Sequence, residues 1–244
     1  MTLATGFTAS VKKSGPGPSQ ERIVKAVLFD LDGTLLNTLD DLADSVNDVL
    51  AERGLPTHPV EAYRYFVGDG AATLMHRVLP ETHRTPEVES LCLHRFREIY
   101  ATRWNLKTVP YDGIPAVLSE LVRRELKLAV LSNKPHDATE QCVGELLKGI
   151  RFDAVQGQTA EIAKKPDPGG ALAIARRLGV RPEEILYVGD TATDMQTAVR
   201  AHMIPIGVLW GFRTAEELLG HGARRLIAHP SALIALLDDR TLLQ

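Results

Sequence analysis

The sequence predicts an α/β fold in which a parallel β-sheet is covered by helices on both faces and interrupted by an all-helical insertion. The first observation is a set of short apolar runs that end in polar residues, as buried parallel strands do. The second is the helical periodicity between those runs, because strands that alternate with helices favour a parallel sheet. The predicted strands cover residues 24–29, 127–131, 185–188 and 204–208, and the predicted helices cover residues 114–124, 137–147, 169–178 and 195–201.

The alternation of strands and helices stops between residues 39 and 106, where no strand pattern is found. The helical stretches of this region cover residues 39–53, 60–66, 71–79 and 86–104. We therefore predict a helical cap at residues 38–108, inserted into an α/β core made of residues 23–37 and 109–244.

Composition excludes several classes of function. The 244 residues are 44% hydrophobic and 24% charged, which is typical of globular proteins. A formal net charge of -3 provides no basic surface for nucleic acid or an anionic membrane. No apolar run of about 18 residues predicts a membrane-spanning helix. Cys92 and Cys142 have no paired spacing, so we expect two reduced, packed thiols rather than a disulfide or a zinc site.

The first segment, residues 1–22, is rich in Gly, Ser, Thr and Pro and lacks the apolar stretch of a secretory signal. We expect it to be a disordered leader. The expected protein is cytoplasmic, a monomer or a homodimer, and has no nucleic-acid or membrane partner.

Polar side chains follow three of the predicted strands at the point where each strand ends. They are Asp30 and Asp32 after residues 24–29, Ser132 and Asn133 after residues 127–131, and Asp190 and Asp194 after residues 185–188. Because ligands bind beyond the carboxyl ends of strands in an open parallel sheet, we expect these side chains to converge. Carboxylates that meet repel one another unless a cation lies among them. Hard oxygen ligands of this kind suit Mg²⁺, so the sequence predicts a magnesium site.

Each of these fragments, taken alone, has an ordinary structural explanation. Residues 30–33 (DLDG) are compatible with a turn, and Ser132 with Asn133 could cap the next helix. Residues 164–166 (KKP) could be a solvated loop, and residues 190–194 a turn followed by a helix cap. Their shared position at strand ends and in loops favours one common site over unrelated explanations.

Together the fragments resemble the four motifs of the haloacid dehalogenase-type phosphatase superfamily. The matching segments are residues 30–35 (DLDGTL), 131–134 (LSNK), 165–166 (KP) and 189–194 (GDTATD). The resemblance implies a Rossmann-like parallel-sheet core with an inserted α-helical cap. Within the superfamily, residues 38–43 and 66–71 are similar to those of phosphoglycolate phosphatases with a helical cap.

The resemblance implies roles for individual residues. Asp30 would attack phosphorus and form an aspartyl-phosphate, which divides one difficult displacement into two easier ones. Asp32 would protonate the leaving alkoxide and then deprotonate the attacking water. The catalytic Lys165 would also bind phosphoryl oxygens, together with the Ser132 hydroxyl and the backbone amide of Asn133.

The same resemblance implies the ligands of Mg²⁺. The Asp30 carboxylate, the backbone carbonyl of Asp32 and the Asp190 carboxylate would hold the ion. Asp194 would be a further ligand or would orient the others.

Three assignments in the core remain open at this stage. Lys164 competes with Lys165 for the third motif, and we favour Lys165 because it directly precedes Pro166. Lys134 is expected to be a solvated residue at a helix start. Residues 210–213 (WGFR) either flank the site or provide plain packing and a solvated arginine.

The cap raises its own questions. Arg64, His76 and Arg77 either bind a substrate carboxylate or are ordinary exposed helix charges. Asn37 replaces an acidic residue that many relatives carry, which we expect to alter hinge contacts near residues 36–37 and 105–110. Asp69 stands where relatives often have Asn, and we expect it to add negative charge close to an anionic substrate.

The sequence therefore favours a Mg²⁺-dependent phosphatase of a small phosphorylated metabolite, similar to phosphoglycolate phosphatases. A phosphotransferase or phosphomutase of sugar phosphates would share the same nucleophile. A halocarboxylic-acid dehalogenase would not need Asp32, which argues against that alternative. A non-catalytic binding protein on the same scaffold would not need all the reactive groups that this chain carries.

Overall fold

Six parallel strands form the central sheet of the computed structural model, which describes residues 24–239. Their spatial order is β5-β4-β1-β6-β7-β8. The strands in chain order are β1 Ala26–Phe29, β2 Leu36–Asn37, β3 Val109–Pro110, β4 Lys127–Pro135, β5 Ala154–Gln158, β6 Ile185–Gly189, β7 Ile204–Val208 and β8 Arg225–Ile227. The predicted α/β class and the four predicted strands are confirmed. The predicted leader at residues 1–22 lies outside the described residues.

Helices cover both faces of the sheet, as the alternation of elements predicts. The helices in chain order are α1 Leu39–Glu52, α2 Tyr63–Phe66, α3 Ala71–Val78, α4 Pro86–Arg103, α5 Ile114–Arg123, α6 His136–Leu146, α7 Gly169–Leu178, α8 Ala192–Arg200, α9 Ala215–Gly220 and α10 Ala232–Asp238. Short 3-10 helices lie at Val60–Ala62, Glu81–His83 and Pro182–Glu184. No helix within residues 24–239 is long and apolar enough to cross a membrane.

Strand β1 is the centre of the sheet and explains why its end carries the site. Its residues alternate between two apolar layers: Val27 and Phe29 belong to one buried cluster, and Ala26 and Leu28 to the other. It pairs in parallel with β4 on one side and β6 on the other, with Phe29 opposite both Val130 and Val188. The carboxyl ends of β1, β4 and β6 therefore lie next to one another.

Two edge strands and two late helices were not predicted from the sequence. Strand β5 reads Ala-Val-Gln-Gly-Gln, and its polar residues hide the apolar run that marks a buried strand. Strand β8 has only three residues, and α9 and α10 have six and seven, which is too short for a clear periodicity. Strand β4 also continues past its predicted end at residue 131 to Pro135.

The helices α1 to α4 pack on an apolar cluster of their own, in agreement with an all-helical cap. Helices α1 and α4 provide much of it, including Leu42, Val46 and Phe96. One member comes from elsewhere in the chain: Phe212, which follows β7, is buried in the same cluster. Cys92 lies in this cluster and Cys142 in the core; both are buried and free, as predicted.

The two connections between core and cap are paired with each other. Strand β2 pairs antiparallel with β3, with Leu36 opposite Pro110 and Asn37 opposite Val109. The carboxylate of Asp41, at the start of α1, binds the second connection just before β3. It accepts hydrogen bonds from the Lys107 and Thr108 amides at 2.8–3.1 Å and from the Thr108 hydroxyl at 2.7 Å.

Replacing Asp41 by Ala should destabilise the fold, because three donors at the connection lose their acceptor. The Asp41 side chain is buried, so the expected loss in the free energy of unfolding is at least about 2 kcal/mol, measured by urea denaturation. The matched control is Asp40→Ala on the same helical turn, where loss of a charge near the helix N-terminus should cost less than about 1 kcal/mol. Equal losses in the two variants would contradict the role of Asp41.

Candidate active site

Asp30 stands at the carboxyl end of β1 and is buried in a group of charged side chains. Its amide donates to the Val188 carbonyl at 2.9 Å, which continues the pairing of β1 with β6. Its Oδ1 accepts from the Leu31 amide at 2.7 Å and lies 2.8 Å from Lys165 Nζ. Both contacts use Oδ1, so Oδ2 makes no protein hydrogen bond within the described part of the chain.

Asp190, directly after β6, is held from two sides. Oδ1 accepts from the Thr34 hydroxyl at 2.8 Å, and Oδ2 accepts from the Phe212 amide at 2.9 Å. Glycine makes this close approach possible. Gly33 has a φ of +86°, and a Cβ there would lie 2.3 Å from Asp190 Oδ2; a Cβ on Gly211 would lie 2.3 Å from Asp190 Cβ.

Asp194 caps the helix that follows Asp190. Its Oδ2 accepts from the Thr191 amide at 3.1 Å and the Thr191 hydroxyl at 2.6 Å, which completes a capping box at the start of α8. Its Oδ1 accepts from Lys165 Nζ at 2.7 Å and from the Tyr187 hydroxyl at 3.4 Å. Both Asp194 oxygens have protein donors, and one of these donors is the charged Lys165 ammonium, whereas Asp190 forms no ion pair within the described residues. This geometry favours Asp194 as an orienting group.

The three carboxylates of Asp30, Asp190 and Asp194 meet in one place. Each offers an oxygen, and these oxygens lie within 4.8 Å of one another. Burial, followed by the charge of Asp194, raises the pKa of Asp30 well above its ordinary value. The same two causes raise the pKa of Asp190 to about 7, against the hydrogen bonds from Phe212 and Thr34. Because these buried carboxylates cannot all be ionised without a compensating charge, their oxygens fit a hard divalent cation such as Mg²⁺.

Lys165 supplies the positive charge inside this group. Its side chain is 2% exposed and contacts both Asp30 and Asp194. Burial opposes its charge, but the carboxylates of Asp194 and Asp30 outweigh burial and raise the pKa of Lys165 well above its ordinary value. Lys164 instead is exposed and donates to the Asp69 carbonyl at 3.1 Å, so the structure brings Lys165, and not Lys164, to the carboxylates.

Ser132 and Asn133 are both buried at the site, in the part of β4 that extends beyond its pairing with β1. The Asn133 side chain holds the loop of Lys165: its Oδ1 accepts from the Lys165 amide at 2.8 Å, and its Nδ2 donates to the Lys165 carbonyl at 3.1 Å. The Ser132 hydroxyl accepts from the Lys134 amide at 3.2 Å. Only the backbone amide of Asn133 was assigned a role from the sequence, so this positioning side chain was missed.

The expectation that Lys134 is solvated is wrong. Its side chain is 6% exposed, and its Nζ lies 3.2 Å from Asp32 Oδ1 and 3.0 Å from the Tyr100 hydroxyl on α4. Burial opposes the charge of Lys134, but Asp32, Tyr100 and Cys142 together outweigh burial and raise the pKa of Lys134 above its ordinary value. Tyr100, a cap residue that sequence reasoning did not single out, is thereby connected to Asp32.

The cap is closed against the core around residues 66–70. Asn133 Nδ2 donates to the Gly68 carbonyl at 3.2 Å, and Arg213 donates to the Val67 carbonyl at 2.9 Å. Of the two alternatives for residues 210–213, the solvated arginine is wrong, because the Arg213 side chain is only 8% exposed. Arg213 lies between the cap and the core, because it contacts Val67 in the cap and Glu217 in the core.

Asp69 does not add an unbalanced charge near the substrate, in contrast to the expectation from the sequence. It accepts from the Thr193 hydroxyl at 2.7 Å and pairs with Arg77 at 2.5 Å. Burial raises the pKa of Asp69, but the hydrogen bonds from Thr193 and Arg77 and the charge of Arg77 outweigh burial, so the pKa is lowered overall. Arg77 is thus occupied, His76 pairs with Glu89, and neither lines the site cavity.

A cavity of about 540 Å³ opens on the reactive groups. Its core wall includes Asp30, Asp32, Ser132 and Lys134, and its cap wall is mostly apolar. Arg64 does not line it and instead donates to the Gly211 carbonyl at 2.7 Å. The three cap cations considered from the sequence are therefore engaged elsewhere.

This chain is similar to known proteins in sequence and in fold. The family model of the haloacid dehalogenase-like hydrolases matches residues 27–208. A phosphoglycolate phosphatase of Pseudomonas putida is 35% identical over 202 residues, covering 80% of this chain and 72% of that protein. The N-acetylmuramic acid 6-phosphate phosphatase of Pseudomonas aeruginosa is 32% identical over 216 residues, covering 88% and 95%. A solved structure from Lactobacillus delbrueckii subsp. bulgaricus, whose name also refers to phosphoglycolate phosphatase, superposes with a TM-score of 0.83 at 31% identity over 88% of this chain and 98% of that one.

Gly211→Ala should disrupt the site, because the added Cβ would lie 2.3 Å from Asp190 Cβ and 2.5 Å from the Gly33 carbonyl oxygen. We expect phosphatase activity on p-nitrophenyl phosphate to fall at least about tenfold, since displacing a positioned group by 1 Å can cost more. Gly220→Ala is the control: no atom lies within 4 Å of its Cβ position, and activity should stay unchanged. Full activity in the Gly211 variant would show that the approach to Asp190 is not required.

Proposed function

Because this chain belongs to the haloacid dehalogenase-like hydrolase family and is a phosphatase, we propose that it hydrolyses small phosphate monoesters with Mg²⁺ through an aspartyl-phosphate on Asp30. The observation that carries this proposal is the buried group of Asp30, Asp190, Asp194 and Lys165 at the end of the central strand. Three carboxylates with one ammonium leave an excess of negative charge, which a divalent cation would balance.

Asp30 is the proposed nucleophile. Its Oδ2 forms a bond to phosphorus while the bond from phosphorus to the ester oxygen breaks, in line with the attack. Oδ1 stays bonded to the Leu31 amide and Lys165, which fixes the carboxylate during the attack. The Lys165 ammonium then balances negative charge on the phosphoryl oxygens, and the Ser132 hydroxyl donates a hydrogen bond to them.

Asp32 is the proposed proton carrier. It gives a proton to the leaving alkoxide and later takes one from the water that attacks the aspartyl-phosphate, which releases inorganic phosphate and restores Asp30. Lys134 lies within 3.2–3.4 Å of both Asp32 oxygens and orients them.

The proposed ligands of Mg²⁺ are Asp30, Asp190 and the backbone carbonyl of Asp32, with Asp194 orienting them. The bound ion would neutralise charge on the transferred phosphoryl group. Cytoplasmic location and a monomeric or homodimeric state remain predictions from the sequence.

Two substrate classes follow from the relatives' names. One is phosphoglycolate and similar small esters; the other is larger esters such as N-acetylmuramic acid 6-phosphate. The cavity of about 540 Å³ favours the second class, because cavities of roughly 300–1,000 Å³ enclose ligands of drug size. Transfer of the phosphoryl group to a sugar is the alternative reaction, and one inorganic phosphate released per ester consumed would exclude it.

Asp30→Asn should lower phosphate release by about 10³-fold or more, since loss of a nucleophile removes the covalent route. The assay is inorganic phosphate released from a panel of phosphate esters that includes phosphoglycolate. Asp48→Asn, on the exposed face of α1, is the control and should keep full activity. If the Asp30 variant retained activity above one hundredth of the native rate, Asp30 would not be the nucleophile.

Mg²⁺ should stabilise the protein more at pH 8 than at pH 6. In metal-free protein the raised pKa of Asp190, about 7, stabilises the fold below pH 4, and this contribution is lost as the pH rises through 7. Mg²⁺ binds only after it displaces this proton. Below pH 7, the stabilisation by Mg²⁺ should therefore decrease by about 1.4 kcal/mol for each pH unit and each proton displaced.

The measurement is the shift in thermal unfolding midpoint on adding Mg²⁺ to EDTA-treated protein at each pH. Asp190→Asn is the matched variant, and it should lose most of the shift at pH 8. A shift of equal size at pH 6 and pH 8 would mean that Asp190 does not bind the ion. Full phosphatase activity in EDTA would remove the metal from the mechanism.

A further inference from the structure

One face of α4 forms a continuous wall of the site cavity. Its residues are Phe96, Arg97, Tyr100 and Ala101 of α4 together with Trp104, which directly follows the helix. Their spacing follows the helical repeat, so they share one side of the helix. From Phe96 to Trp104 the wall extends about 12 Å, at about 1.5 Å per residue.

Tyr100 connects this wall to Asp32, the proposed proton carrier. Its hydroxyl accepts from Lys134 Nζ at 3.0 Å, and Lys134 contacts Asp32. Asp32 would protonate the leaving oxygen, so the leaving group of a bound ester begins close to Tyr100. Arg97 lies one helical turn from Tyr100, an axial rise of about 4.5 Å.

Arg97 is the sole cation that the cap contributes to the cavity wall within the described residues. It makes no hydrogen bond or ion pair with any residue in the described part of the chain, whereas Arg95 on the same helix pairs with Glu52 and Glu98. Three other residues of this wall, Phe96, Ala101 and Trp104, are apolar. An exposed guanidinium above an apolar wall is suited to bind an anionic group of a ligand whose body packs on that wall.

The size of the cavity argues against a two-carbon substrate. Phosphoglycolate places its carboxylate carbon three bonds from phosphorus, about 4 Å at about 1.5 Å per bond. The α4 wall is about three times longer, and the cap is already closed on the core through the bond of Asn133 to Gly68. The cavity therefore keeps its size in the closed form.

We propose that Arg97 selects phosphate esters whose leaving group is longer than two carbons, packs on the apolar face of α4 and carries a carboxylate at its far end. This inference rests on the proposed phosphatase function and adds the class of leaving group. Asp137, which lines the cavity from the core helix α6, makes no ion pair with Arg97 and leaves its guanidinium available.

The test is a length series of esters with one leaving-group chemistry. The substrates are phosphoglycolate, 4-phosphooxybutanoate and 6-phosphooxyhexanoate, each paired with its neutral amide. For the native enzyme we expect kcat/KM to be higher for the two longer acids than for phosphoglycolate. We also expect each longer acid to exceed its own amide by about tenfold or more, the value of a charge-assisted contact.

Arg97→Gln should lower this acid-to-amide ratio at least about tenfold for the longer esters, mainly through KM. Arg95→Gln, on the same helix but outside the cavity, should leave the ratio and both rates unchanged. An unchanged ratio in the Arg97 variant would overturn the proposal, and so would a maximum of kcat/KM at phosphoglycolate. Absence of hydrolysis of every ester by native enzyme would instead contradict the phosphatase function, so the two failures are distinguishable.

Discussion

The buried ion pairs of Lys165 are the constraint on which the rest of the site depends. An ammonium that is 2% exposed is stable here only because Asp30 and Asp194 accept from it at 2.8 and 2.7 Å. Those carboxylates in turn come from different elements, the end of β1 and the first turn of α8. The sheet must therefore bring these elements together with sub-ångström accuracy, and small errors would leave a charge buried without a partner.

Glycine makes this accuracy possible. The approach of Gly33 and Gly211 to Asp190 leaves no volume for a side chain, and Gly189 is equally close to Asp194. Hydrogen bonds from Thr34 and the Phe212 amide then fix the Asp190 carboxylate. The site is thus determined as much by the absence of side chains at these glycines as by the charged residues.

Local patterns allowed much of the fold to be predicted, because a buried parallel strand must be apolar along its whole length. The run at β1 and the acidic residues after it are examples, and both lie where the sequence indicated. Lys134 shows the limit. Its burial depends on Tyr100, which is 34 positions away in the chain, so no local pattern could distinguish it from a solvated lysine. Asp69 and Arg77 likewise form an ion pair, and no sequence pattern indicated that these two charges would neutralise each other.

Phe212 serves two parts of the protein at once. Its ring is buried among the apolar side chains of the cap, while its backbone amide donates to Asp190 in the core. Enzyme engineers often treat such inserted helical units as modules that can be transplanted between scaffolds. In this protein a foreign cap would meet the ring of Phe212 with an unmatched surface, and the strain would reach Asp190. A successful graft would have to carry the segment after β7 along with the cap, although the two are more than one hundred positions apart.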